Sequence, residues 1–342
     1  MSITVVIPAY NEEHSILRCL ECIKNQNIAL KKISISLVIA KSKDNTFGIS
    51  KEWKEKNFHL FNDIKIINNR KGSLAAAWNL GIKNCLTDYV ILSSGHFFMD
   101  KNYINILLRA LRDNQEIDTI GGNIISDSSK ADKSYFDKLI NKLFSTRALV
   151  GNASYRTLKL EKTLIDKNCD TAVFGCYKMS NLKKIGLFDE SLLRSQDFEF
   201  HCRLRRKGLI QARHTKAFGE YKLRCDLFSS LKYSYINGYW IGRPIVKYPY
   251  MFRIRHGVPA LFWVTIYFLS ILAIFKNGIL TLLPIIFVLL LYVGFIIIGM
   301  RKVNLSFLDK IIGLIYISIY HFLYGNSYIH GFLNGLNPLI RL

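Results

Sequence analysis

The sequence predicts an α/β domain with a mainly parallel, Rossmann-like sheet, followed by transmembrane helices towards the C-terminus. Three observations predict it. Short apolar runs alternate with helical segments from Ile3 to Arg112. Charged and apolar residues interleave up to Arg255, and charges nearly vanish beyond it. Two successive stretches, Val258–Phe275 and Ile279–Met300, hold no charged residue, close to the roughly 20 residues a spanning helix needs. The expected division is a domain over 1–225, a basic juxtamembrane segment over 226–256, and a membrane region over 257–342 with two to three spans.

Residues 3–8 read as a buried strand ended by Pro8, and not as a signal peptide. Asn11 is positioned to cap a helix through Leu17, Leu20 and Ile23. Ile33–Ala40 is a second strand, followed by a polar turn at Lys41–Thr46 and another helix. Residues 64–67 form a third strand, Ser73 caps a helix over 74–85, and 89–92 form a fourth strand before a helix over 101–112. Such alternation implies strands covered on both faces. Ligands then bind at the carboxyl ends of the strands, here Pro8–Glu12, Lys41–Asp44 and Ser93–His96. Residues 126–168, with a helix near 134–147, read as a mobile substrate loop. Gly121-Gly122 reads as a strand-end turn. The segment 172–175 is expected to pack on 185–188, ahead of a helix over 196–207.

In the tail, Ile311–Tyr324 is a third apolar stretch. Arg253, Arg255, Arg301, Lys302 and Lys310 flank the runs, with only Lys276 at the first hairpin tip. The positive-inside rule then places the N-terminal domain in the cytoplasm and the chain as a multi-pass protein of the cytoplasmic membrane. The chain carries 47 Lys and Arg against 25 Asp and Glu, a net charge of +22. The basic residues crowd between Arg203 and Arg255, next to the apolar tail. That fits an anionic leaflet better than nucleic acid, for which no binding module is recognisable. Seven scattered cysteines fit reduced thiols. Cys19 and Cys22 lack the second pair a zinc site would need. No Walker A sequence, glycine-rich phosphate loop or nucleophile elbow is present.

An ordered set of motifs, together with two in the tail, covers nearly the whole chain. It runs Val5–Glu13, Asp44-Asn45-Thr46, Ala75–Ile82, Phe174-Gly175, Gly186–Glu190, Ser195–Glu199 and Arg203–Gly208. The set resembles glycosyltransferase family 2, the GT-A fold. It is most similar to the succinoglycan-type exopolysaccharide transferases, whose tails carry motifs like Arg255-His256 and Tyr324-Gly325 to Gly331.

The resemblance implies an inverting transfer from a nucleotide-sugar donor to a lipid-linked or growing glycan in cell-surface polysaccharide synthesis. It implies donor contacts at Pro8, Ala9, Tyr10, Glu12, Asp44 and Ser94, and a general base at Asp197. Glu199, Arg203 and Arg206 fall on the acceptor or diphosphate side. Read from spacing alone, Glu199 pairs with Arg203 at i,i+4. The family holds Mg²⁺ or Mn²⁺ with an Asp-x-Asp or Asp-x-His. Here Ser94 stands at the first position, which leaves His96 as the metal candidate. Ile39-Ala40 replaces the family's nucleobase-side Asp. Arg70, Lys71 and the Arg203–Lys207 group are cationic alternatives to a metal. The membrane and a polysaccharide assembly complex are the expected partners. The alternative reading is a degenerate, catalytically weak family member that acts as a partner in such a complex.

Overall fold

The computed structural model describes residues 2–126, 134–144, 146, 149, 164–167, 169–221, 226–276 and 279–337. The chain divides into two compact units, Met1–Asp127 with Ser154–Leu223, and Ser128–Ala153 with Arg224–Leu342.

The first unit is built on one sheet. β1 (Ile3–Ala9) and β2 (Ile33–Ala40) are buried along their whole length, as near-continuous apolar runs flanked on both sides should be. β1 pairs in parallel with β2 and with β4 (Tyr89–Leu92), and β2 pairs in parallel with β3 (Asp63–Asn69). Beyond β4 the sheet becomes mixed. β8 (Cys176–Lys178) pairs antiparallel with β4 and with β6 (Thr119–Ser126). β6 runs parallel to β9 (Gln211–Tyr221), which also carries β5 (Phe97–Met99) and β7 (Ile165–Asp166) antiparallel. The order is β3-β2-β1-β4-β8-β6-β9-β5, with β7 beside β9.

Helices cover both faces. α1 (Ile16–Lys24) and α4 (Tyr103–Asp113) pack one core with Ile7, Leu20, Phe97 and Leu107. α2 (Thr46–Asn57) adds Trp53 to that core. α3 (Leu74–Lys83) builds the other face with Val6, Trp78, Phe188 and Phe200. Ser73 caps α3 by accepting from the Ala76 amide at 3.2 Å.

Three local expectations are corrected. Asn11 does not cap α1, which begins only at Ile16. Asn11 instead sits at φ 52° and accepts from the Lys43 amide at 2.8 Å. Gly121 and Gly122 lie inside β6, where a Cβ on Gly121 would meet the Ala172 carbonyl carbon at 2.6 Å. The need there is close backbone approach. Phe174 and the 185–188 segment do not pack together: Phe174 joins the α1–α4 core, and Ile185 and Phe188 join the opposite one. Most of the expected substrate loop, together with Cys225, lies outside the described residues.

In the second unit, α5 (Tyr135–Leu143) packs Leu139, Ile140 and Leu143 with Ile296, Met300 and Ile317. α6 (Met179–Ile185) and α7 (Gln196–Arg206) belong to the first unit. α8 (Leu227–Lys247), α9 (Ile254–Lys276), α10 (Leu283–Met300) and α11 (Phe307–Leu336) complete the second. Three stretches, Ile254–Phe275, Leu280–Met300 and Phe307–Leu336, are long and apolar enough to cross a membrane. α8 runs parallel to α11: Ser230, Ser234, Gly238 and Gly242 meet Tyr316, Tyr320, Tyr324 and Tyr328 in turn. A Cβ on Gly238 would come within 2.3 Å of the Tyr324 carbonyl oxygen, and one on Gly331 within 2.2 Å of that of Tyr239. Small residues are what let two helices approach so closely.

Candidate functional site

The carboxyl ends of β1, β2 and β4 converge because their parallel registers align them. Two loops are laced together there. The amides of Asn11, Glu12 and Glu13 donate to Ser42 Oγ, Thr46 Oγ1 and Asp44 Oδ2 at 3.1, 2.7 and 3.0 Å. The Asn45 amide donates back to Glu13 Oε2 at 3.0 Å. Desolvation works to raise the Asp44 pKa. Hydrogen bonds from the Thr46 hydroxyl and from the Glu13 and Thr46 amides outweigh it and hold the carboxyl below its ordinary range. Asp44 is therefore a carboxylate that fixes loop shape. Pro8 and Ala9 are buried in β1, and Tyr10 is 54% exposed beside them.

β4 ends at Ser93-Ser94-Gly95-His96. The Gly95 amide donates to the Pro8 carbonyl at 3.0 Å, which ties this end to β1. His96 Nδ1 donates to Glu12 Oε1 at 2.5 Å, and its Nε2 lies 2.9 Å from the Tyr221 hydroxyl. The Ser15 hydroxyl donates to the other Glu12 oxygen. Ser94 Oγ is buried and has no hydrogen-bond partner among the described residues.

This donor set does not form a ready metal site. Both His96 nitrogens are engaged, both Glu12 oxygens accept hydrogen bonds, and Ser94 offers a neutral hydroxyl where a hard cation favours carboxylate. Among the described residues no group of three His, Cys, Asp or Glu could hold a metal ion.

α7 carries the remaining candidate residues. Its N-cap, Ser195, adopts a left-handed conformation at φ 59°. Asp197 follows on the first turn, open to solvent. Partial desolvation raises its carboxyl pKa, against the Phe198 amide that donates to Oδ1 at 2.8 Å. Behind it lies a buried neutral pair. His201 Nδ1 donates to the Asp197 carbonyl at 2.7 Å, so its Nε2 accepts from the Tyr177 hydroxyl at 2.9 Å. Burial pushes the His201 pKa down to about 4 and that of Tyr177 up.

Glu199 and Arg203 form a bidentate pair, with Nε and Nη2 at 2.9 and 3.0 Å from the two carboxylate oxygens. Arg203 also donates to the carbonyls of Ile185 and Leu187 at 3.0 and 2.8 Å. Gly186, at φ 89°, makes the turn that presents these carbonyls. The pair thus holds the 185–187 turn to α7. Arg206 is exposed at the far end of the helix, about 13 Å along the axis from Asp197 at 1.5 Å per residue. Arg70 is exposed, and Lys71 pairs with Glu190 at 2.6 Å.

Sequence reasoning missed Tyr221, the Tyr177–His201 pair and the role of Asn79. Asn79 clamps the Phe188 backbone, donating to its carbonyl and accepting from its amide, both at 2.9 Å, and donates to Glu190 at 2.9 Å. That bond and the Lys71 ammonium lower the Glu190 pKa. The signal for Asn79 was present, since it lies inside the recognised Ala75–Ile82 motif. The contacts of Tyr221 and Tyr177 are too distant in sequence to leave one.

Comparison with known proteins identifies the family and the fold. A dolichyl N-acetyl-α-D-glucosaminyl phosphate 3-β-D-2,3-diacetamido-2,3-dideoxy-β-D-glucuronosyltransferase of Methanococcus voltae is 30% identical over 237 residues, covering 67% of this chain and 70% of that protein. Glycosyltransferase GlyA of Streptococcus pneumoniae serotype 4 is 28% identical over 163 residues, 46% of this chain and only 22% of that one. Among solved structures, a mannosyltransferase from Pyrobaculum calidifontis in complex with GDP-Man and Mn²⁺ superposes with a TM-score of 0.50 at 14% identity, over 71% of this chain and 64% of that chain. That likeness is one of fold, GT-A. Residues 4–186 match the family description "Glycosyl transferase family 2". Over half of its length and in its fold, the chain belongs to glycosyl transferase family 2, and it is a glycosyltransferase.

Proposed function

We propose that the protein is an inverting transferase, moving a sugar from a nucleotide-sugar donor to a lipid-linked glycan at the cytoplasmic face of a membrane, in cell-surface polysaccharide assembly. The observation that carries this reading is Asp197. It is a solvent-open carboxylate on the first turn of α7, with its proton affinity raised by partial desolvation. A base of this kind takes the proton from the acceptor hydroxyl as the acceptor oxygen attacks the anomeric carbon. The bond from that carbon to the diphosphate breaks on the opposite face, and the nucleoside diphosphate leaves with the bonding electrons. Pro8, Ala9, Tyr10, Glu12, Asp44 and Ser94 lie at the strand ends where a donor would sit, and no step here requires a protein-held metal.

The lipid-linked acceptor is supported by the name of the Methanococcus voltae relative, whose substrate is a dolichyl-linked sugar phosphate. Three apolar helices would keep the enzyme beside such an acceptor. The basic flanks support a cytoplasmic catalytic unit. The second reading, a weakly catalytic assembly partner, draws on Ser94 and Ile39-Ala40.

The test is nucleoside diphosphate release from detergent-solubilised protein, with a panel of nucleotide sugars and a lipid-linked acceptor extract, beside Asp197→Asn. Release with one donor, lost in the variant, supports the transferase. Absence of release from folded protein shifts the reading to the assembly partner. Full activity in Asp197→Asn removes Asp197 as the base.

A further inference from the structure

Two unfavourable features sit on consecutive residues directly before Asp197. Ser195 is a non-glycine residue held at φ 59°. It stands at a helix N-cap, yet its hydroxyl makes no capping hydrogen bond. Gln196 is 5% exposed, and its Oε1 is fully buried with no hydrogen-bond partner among the described residues. Folded proteins leave few buried polar atoms unpaired, because each loses its water without replacement. Leu or Met would fill the same space with no polar atom to satisfy. The carboxamide is therefore not explained by packing. Backbone strain and unpaired groups of this kind gather where a ligand completes them.

We propose that Gln196 is a substrate-recognition residue, whose carboxamide oxygen accepts a hydrogen bond from a sugar hydroxyl when substrate binds beside Asp197. This rests on the reading of Asp197 as the catalytic base. The terminal torsion of a glutamine side chain is broad and two-fold. A half-turn exchanges the positions of Oε1 and Nε2. The ligand chemistry is that of a pyranose with a free hydroxyl, on either the donor or the acceptor.

The experiment uses the full chain in detergent, comparing wild type with Gln196→Met. Thermal unfolding is followed by intrinsic fluorescence. Transfer is measured with whichever of UDP-glucose, UDP-N-acetylglucosamine, UDP-glucuronate and GDP-mannose supports release. Monodeoxy analogues of that donor and of the acceptor sugar are run in parallel. Wild type should reject one deoxy analogue by about 100-fold or more in kcat/KM, as sites that hydrogen-bond a hydroxyl do. The position of that deoxygenation identifies the donor or the acceptor as the source. In Gln196→Met the ratio should fall to within about threefold of unity, with Tm unchanged or raised, since the substitution removes an unpaired polar atom. A Tm lowered by more than about 3 °C would show that the carboxamide already has a partner in the free protein, and would overturn the proposal. So would an unchanged deoxy ratio. An Asp197→Asn enzyme that keeps its activity would remove the base while leaving the deoxy ratio to decide Gln196.

Discussion

Replacing Arg203 by alanine should destabilise the catalytic unit. Glu199 is 1% exposed, and both of its oxygens are held by Arg203. Truncating one partner of a buried pair leaves an uncompensated charge and costs about 3–5 kcal/mol. The carbonyls of Ile185 and Leu187 lose their donor as well. We take the middle of that range, about 4 kcal/mol, as the cost. For a unit of this size each kcal/mol moves Tm by about 2–4 °C, which gives a fall of about 8–16 °C. The assay is fluorescence-detected melting. Trp78 is a built-in reporter, since its ring lies 4.9 Å from that of Phe188, next to the Leu187 that Arg203 holds. The double variant Glu199→Leu/Arg203→Met should recover most of the loss, because an apolar pair of similar volume removes the stranded charge. An Arg203→Ala protein melting within about 3 °C of wild type would refute the reasoning and return Arg203 to a substrate-facing role.

Three further outcomes follow from the site. The acid limb of kcat/KM should lie above the usual aspartate range, because the protein surrounding Asp197 favours its protonated form. A raised folded pKa favours the fold at low pH and loses that benefit as pH rises, so Asp197→Asn should gain stability over wild type as pH climbs past about 4; a constant difference across pH 3–8 would count against the shift. His201 behaves in the opposite sense. Its folded pKa near 4 lies below the ordinary 6.5, so its stabilising effect is full above 6.5 and fades as pH falls towards 4, by about 3 kcal/mol in all; acid denaturation of His201→Gln should be correspondingly shallower. EDTA should leave transfer within about twofold, since His96 and Glu12 already satisfy one another; abolition by EDTA with rescue by Mn²⁺ would show that the pair opens to admit a cation.

Much of the catalytic unit was legible because its signals are local. Ile33–Ala40 and Tyr89–Leu92 are apolar runs too short for helices, and each forms a strand over that range. Ser73 precedes a helical pattern and caps it. The mixed half of the sheet was harder. β8 is three residues long and β7 two, too short to show periodicity, and their pairing is fixed by partners far away in sequence. The same division holds in the site. Asp197 and Glu12 stand in recognisable motifs. The hydrogen bonds that define their surroundings come from Tyr177, His201 and Tyr221, and only His201, one helical turn from Asp197, could have been guessed from spacing. Asn11 shows the converse error. Its type favours both a cap and a left-handed loop position, and the loop around Asp44 decided between them.

The parallel seam between α8 and α11 also has a meaning in time. After Lys247 closes α8, the ribosome must deliver α9 and α10 before Phe307 opens its partner. Until then the glycine-lined flank of α8 has no surface shaped to receive it. Completion of the second unit therefore waits on the arrival of α11. A premature stop within that helix should leave a product that quality-control proteases remove, even though every residue of the catalytic unit has been made.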